Sequence, residues 1–101
     1  MSGEKSPRPI MILLDILGKR WTLRIMWELR NGPFTFRALQ EVCDMLSPTT
    51  LNKRLNDLKS LNVVDHQSNG YQLTTKGLEL AKIMMGLTEW AGKEITPHAK
   101  S

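Results

Sequence analysis

A change of hydrophobic period late in the chain constrains the fold more than any other feature. As far as Asn62 the apolar residues recur at helical spacing. Val63-Val64-Asp65-His66 and Tyr71-Gln72-Leu73-Thr74 then read as two short strands, joined through Ser68-Asn69-Gly70. Asn-Gly is the strongest short-range signal for a β-hairpin. After Thr74 the helical period returns and holds to about Ile95. One hairpin is marginal by itself in water, so it must lean on the helices around it.

Those helices punctuate themselves. The first starts at Pro9 or Ile10 and runs to Leu17, with Ile10, Leu13, Leu14 and Leu17 on one face and Met11 and Ile12 widening it; Gly18 ends it. The second covers roughly Arg20 to Arg30, on a stripe of Trp21, Ile25 and Leu29 broadened by Leu23, Met26 and Trp27. Asn31-Gly32-Pro33 stops it. The third spans about Thr35 to Asp44, with Thr35 as N-cap and Phe36, Leu39, Val42 and Cys43 inward. The fourth has the clearest start: Ser47 caps it and Pro48 takes the first helical position, where its missing N–H costs nothing. Leu51, Leu55, Leu58 and Leu61 or Asn62 carry its stripe. Thr74 or Thr75 caps the fifth.

Two helices joined by a tight turn and followed at once by a hairpin make a helix-turn-helix with a wing. The expected class is mainly α, within α+β: a winged helix-turn-helix with a two-stranded wing and a long last helix. At 101 residues the chain holds one compact domain. It is expected to occupy residues 9–95, between a flexible leader at 1–8 and a flexible tail at 96–101. A disulfide scaffold is excluded, since one Cys has no partner in its own chain. No apolar run approaches the ~20 residues of a membrane span. Asp15 ends the apolar run Ile10–Leu14 and no small-residue cleavage site follows, so no signal peptide is read and a cytoplasmic setting is expected. The net charge of +4 favours a polyanionic partner without proving one.

At ~100° per residue, Leu51, Leu55 and Leu58 share a narrow arc of the fourth helix. Thr49, Lys53, Asn56 and Ser60 lie opposite, flanked by Thr50, Asn52 and Lys59. Base edges in the major groove are read by short donors and acceptors with an occasional long cation. Thr49, Thr50, Asn52, Lys53 and Asn56 are therefore the candidates for base contact. Arg20, Arg37, Ser47, Arg54 and Lys59 are the candidates for phosphate contact, which positions a protein without reading sequence. Lys19 and Arg24 belong to the same basic cluster as Arg20. The plainer reading is an ordinary solvated face, with these cations paired to Glu28, Glu41 or Asp57; the adjacent hairpin favours DNA.

Several segments in unbroken order carry a family likeness: Leu17-Gly18-Lys19-Arg20-Trp21-Thr22, Ile25-Met26-Trp27-Glu28-Leu29, Asn31-Gly32-Pro33, Phe36-Arg37-Ala38-Leu39 and Leu46-Ser47-Pro48. Leu51-Asn52-Lys53-Arg54-Leu55-Asn56-Asp57-Leu58 and Tyr71-Gln72-Leu73-Thr74-Thr75-Lys76-Gly77 complete the series. Together they resemble the HxlR-type winged helix-turn-helix regulators of bacteria and archaea, kin to the MarR-like group. The resemblance implies a small homodimeric transcription factor on double-stranded DNA, with the fourth helix in the major groove and the first and last helices making the dimer. On that basis Ile10, Met11, Leu14, Leu78, Met85, Leu87 and Trp90 are assigned to the dimer interface. Two departures stand out. Many members of the family carry a sensing Cys, often followed by Pro, just before the first helix, where this chain reads Ser6-Pro7 or Arg8-Pro9. The only Cys, Cys43, falls on an apolar stripe and is expected to be a buried structural thiol. The wing from Asp65 to Tyr71 is also shorter than usual and has no Lys or Arg, leaving His66, Gln67, Ser68 and Asn69 to touch a backbone.

No catalytic constellation is legible. His66 and His98 stand apart from each other and from Cys43, so no metal-ligand spacing arises, and no cofactor is expected. The last helix has two apolar faces, one of Leu80, Met84, Leu87, Ala91 and Ile95, the other of Leu78, Ala81, Met85 and Gly92. One face can serve the core and the other a second copy, and a small-molecule effector of unknown identity could lodge between copies. Trp27 and Trp90 read as packing anchors. The expected function is sequence-specific binding to a palindromic operator. The alternatives are a protein–protein interaction module and a non-specific DNA-binding protein.

Overall fold

A computed structural model describes residues 8–95. The elements follow the expected order: α1 (Pro9–Leu17), α2 (Thr22–Leu29), α3 (Phe36–Val42), α4 (Pro48–Ser60), β1 (Val64–Gln67), β2 (Gly70–Leu73) and α5 (Thr75–Glu94). The leader and tail lie outside the described residues except for Arg8, whose carbonyl accepts from the N–H groups of Met11 and Ile12 at the start of α1.

Three helices begin as their capping residues dictate. The hydroxyls of Thr35, Ser47 and Thr74 accept from the N–H groups of Ala38, Thr50 and Gly77 at 3.1, 3.2 and 3.0 Å. Each such cap contributes about 1 kcal/mol. The start of α2 differs from expectation. Its first helical residue is Thr22, and Trp21 sits before it in the left-handed region, at φ 78°. The reversal between α1 and α2 is therefore made by Trp21, while Gly18 stays right-handed at the end of α1. Bulky residues adopt that region rarely, and the large side chain pays back by packing against the core.

The turn of the helix-turn-helix is shorter in helix than expected. α3 stops at Val42, and Asp44 and Met45 are both left-handed, at φ 60° and 58°. The Met45 N–H closes the helix end on the Gln40 carbonyl at 2.7 Å, and the Gln40 side chain donates to the Leu46 carbonyl at 3.0 Å. Arg24 of α2 donates to the Val42 carbonyl, covering another unpaired acceptor of α3.

In the hairpin Val64 faces Leu73 and Gln67 faces Gly70 across an antiparallel pair. The reversal is thus Ser68-Asn69, and the positive φ (122°) falls on Gly70, not on Asn69 as an Asn-Gly type I′ turn would require. Gly70 is needed for a second reason. Phe34, in the loop before α3, pairs with Tyr71 through two backbone bonds of 3.0 and 2.8 Å. A Cβ on Gly70 would meet the Phe34 carbonyl oxygen at 2.5 Å. Phe34 thus adds a one-residue third strand that ties the helix-turn-helix to its wing.

The core joins Ile25, Met26 and Leu29 of α2, Leu39 and Cys43, Leu51, Leu55 and Leu58 of α4, the hairpin's inner residues, and Ala81 and Met84 of α5. Burying a leucine of that kind contributes roughly 1.5–3 kcal/mol relative to exposure. The inward face of α5 is Gly77, Ala81 and Met84. Leu87 and Ile95, grouped with Met84 by sequence, are exposed, and Ala81, grouped with the opposite face, is buried. At ~100° per residue Gly77, Ala81 and Met84 fall on one face, between the two apolar arcs. Gly77 lets that face sit against the Val63 carbonyl, which a Cβ there would strike.

Candidate nucleic-acid interface

α4 turns Leu51, Leu55 and Leu58 wholly inward, so its opposite side must face out. Thr49, Asn52, Lys53, Asn56, Lys59 and Ser60 are all exposed there. Among the described residues no carboxylate pairs with Lys53 or Lys59. Thr50 is half-buried. Its hydroxyl accepts from the Ser47 hydroxyl at 3.1 Å, while the Ser47 oxygen accepts the Thr50 N–H. Ser47 and Thr50 are thereby committed first to capping α4, which leaves the Thr49 N–H without an intrahelical partner at the positive end of the helix dipole.

The other cations fall into two groups. Arg20 is exposed in the α1–α2 connection. Arg37, in the first turn of α3, is largely exposed, with its Nε 3.6 Å from Glu41. Arg54 is different: its side chain is only 16% exposed and its Nε lies 3.8 Å from Asp57. Arg24 pairs with Glu28 at 2.8 Å, which pushes the guanidinium's pKa up from its ordinary value. Lys19 donates to Asp57 at 3.4 Å. The pairing of cations with Glu28, Glu41 and Asp57 is therefore present, and it coexists with the open face of α4.

The wing packs against α4 through β1. His66 stacks flat on Tyr71, the rings 4.1 Å apart and 2° from parallel, and Tyr71 in turn meets Phe36 of α3 at 6.4 Å. The wing's outward residues are His66, Gln67, Ser68 and Asn69, all exposed. Two features escape sequence reasoning. The Phe34–Tyr71 pairing is one residue long and leaves no period. The Lys19–Asp57 bond joins residues 38 apart in the chain, and no local pattern announces it.

Cys43 is fully buried at the end of α3. Burial pushes its thiol pKa up, against a smaller opposing pull from Arg24. The residues assigned to a dimer interface are exposed: Ile10, Met11 and Leu14 on α1, and Leu78, Met85, Leu87 and Trp90 on α5. No residue of α1 is fully buried, although Ile16 and Leu17 pack half-buried against the core. No helix among the described residues is long and apolar enough to cross a membrane.

Comparison with known proteins agrees with this geometry. The HxlR-like helix-turn-helix family matches residues 16–99. An HTH-type transcriptional regulator of Methanocaldococcus jannaschii is 31% identical over 87 residues, covering 82% of each chain. The HTH-type regulator YvaP of Bacillus subtilis is 34% identical over 91 residues, covering 83% of this chain and 84% of its own. The reduced form of the transcriptional regulator YodB from B. subtilis superposes with a TM-score of 0.78 at 30% identity, covering 91% of this chain and 98% of that one. With the helix-turn-helix, the wing and the matched span in agreement, the chain belongs to the HxlR-like helix-turn-helix family of transcriptional regulators.

Proposed function

We infer that the protein is a homodimeric regulator that binds duplex DNA sequence-specifically, with α4 of each copy in a major groove of a palindromic operator. The outer face of α4 carries this reading. It is exposed, it bears no large apolar residue, and its side chains are of the types that bond base edges. Base readout is assigned to Thr49, Thr50, Asn52, Lys53 and Asn56. Phosphate contact is assigned to Arg20, Arg37, Ser47, Arg54 and Lys59. The half-buried Arg54 would contribute through its guanidinium tip alone. The second copy is supported by the apolar faces of α1 and α5, which one chain leaves uncovered. Two copies of α4 would then read half-sites ~34 Å apart. A regulator of this kind works where the chromosome is, in the cytoplasm.

Selection from a random duplex library at near-physiological salt tests the reading. Enrichment of a palindrome with half-sites one turn apart is the expected result. Binding without enrichment would replace it with non-specific DNA binding. No duplex binding at any salt would overturn it and turn the polar face of α4 towards a protein partner.

A further inference from the structure

Asp57 is the only acidic residue of α4. Its carboxylate is shared between two cations. Lys19, in the α1–α2 connection, donates to it at 3.4 Å, and Arg54, one turn back on α4, holds its Nε 3.8 Å away. Both distances exceed the ~2.7–2.9 Å of a good charge-assisted bond. The Arg54 Nε is buried and has no hydrogen-bond acceptor, which is an unfavourable state for a donor. Lys19 is 44% exposed and its ammonium can leave, whereas Arg54 is enclosed and cannot follow it.

We propose that Asp57 is a positioning residue that holds Lys19 against α4 and hands it to a DNA phosphate on docking. This rests on the reading of α4 as the DNA-binding helix. When Lys19 moves to a phosphate, the carboxylate loses one partner and closes the remaining ångström onto the Arg54 Nε, satisfying a donor that was orphaned before. The second bond offsets the loss of the first. No proton moves, and the three groups keep their charges throughout. Before docking, the carboxylate neutralises Lys19 and repels phosphate from the edge of α4. Lys19 is therefore available only where the base contacts of α4 bring a phosphate close enough to compete. Asp57 in this way sets the gap between specific and random binding, although it reads no base.

The test measures affinity against salt for the full-length protein, on a labelled random-sequence duplex and on the selected operator. Each phosphate neutralised contributes ~0.9 to the slope of log affinity against log salt. Lys19→Met is expected to lower the operator slope by about 0.9, and Lys19→Arg to restore it. Asp57→Asn is expected to raise affinity for the random duplex more than for the operator, narrowing the ratio. In the double variant the gain on random DNA should vanish, because it acts through Lys19. An unchanged slope in Lys19→Met overturns the proposal, as does Asp57→Asn weakening both duplexes equally while thermal stability falls, which marks a purely structural bond. If the unmodified protein binds neither duplex, the DNA reading fails and the hand-over with it. If it binds both and only the variants are silent, the failure is Asp57's alone.

Discussion

Cys43 is buried at the end of α3 and Lys53 is exposed on α4, and these environments fix what each can do. A reactive thiol needs solvent access and a lowered pKa. Cys43 has neither, being fully buried with its pKa pushed up by that burial. Because the folded value is raised, the stability linked to this thiol is fully present below the ordinary thiol range and is lost as pH rises through the folded value. A thiol reagent at neutral pH should modify native Cys43 slowly and denatured Cys43 at the rate of a free thiol; fast modification of the native protein would place the thiol at the surface. Lys53 is exposed, as the proposed base contact requires. Lys53→Ala should cost roughly 1–3 kcal/mol on the selected operator and relax its sequence preference at one position. Equal losses across unrelated duplexes would move Lys53 to the phosphate set. The face that carries Lys53 was legible because three buried leucines at helical spacing define its opposite. The pairing of Lys19 with Asp57 was not, because it depends on how two helices meet.

Legibility at the level of elements follows the range of the forces that set each boundary. Thr35, Ser47 and Thr74 cap their helices through bonds to residues three ahead, so sequence alone places those starts. The start of α2 is set by Trp21 packing, and the hairpin turn by the Phe34 backbone against Gly70, both of which are tertiary effects. Thr74 shows the local and tertiary kinds together. Its Oγ1 accepts from Gly77 and donates to the Asn62 carbonyl at 2.7 Å, while its N–H bonds the Val63 carbonyl at 3.0 Å. This single residue fixes α5 to the end of α4 and to the wing. Thr74→Val keeps the shape and removes both hydroxyl bonds, and should destabilise the fold by about 2 kcal/mol. Thr74→Ser, which retains the hydroxyl, should recover most of that. Urea unfolding of the pair separates the outcomes, and a loss in Thr74→Ser with none in Thr74→Val would show that the methyl packing mattered and the bonds did not.

At the scale of the whole molecule, two helices leave apolar surface uncovered: no residue of α1 is fully buried, and Leu87 and Trp90 of α5 are 63% and 58% exposed. Apolar side chains gathered on two protruding helices are costly in water unless something covers them. The proposed second copy would cover them, because a two-fold interface presents the same patch twice. The same symmetry makes the arrangement easy to break. A glutamate introduced once in the gene enters the interface at two places, and each new charge must be buried without a partner. Leu14→Glu on α1 or Leu87→Glu on α5 should therefore give a monomer by sedimentation while helical content stays unchanged, since neither side chain belongs to the buried core. The monomer should keep binding random duplex through α4 but lose the palindrome preference, because only one half-site is then engaged. A variant that remains dimeric would move the interface off these helices, and one that is monomeric yet still prefers the palindrome would separate operator recognition from pairing altogether.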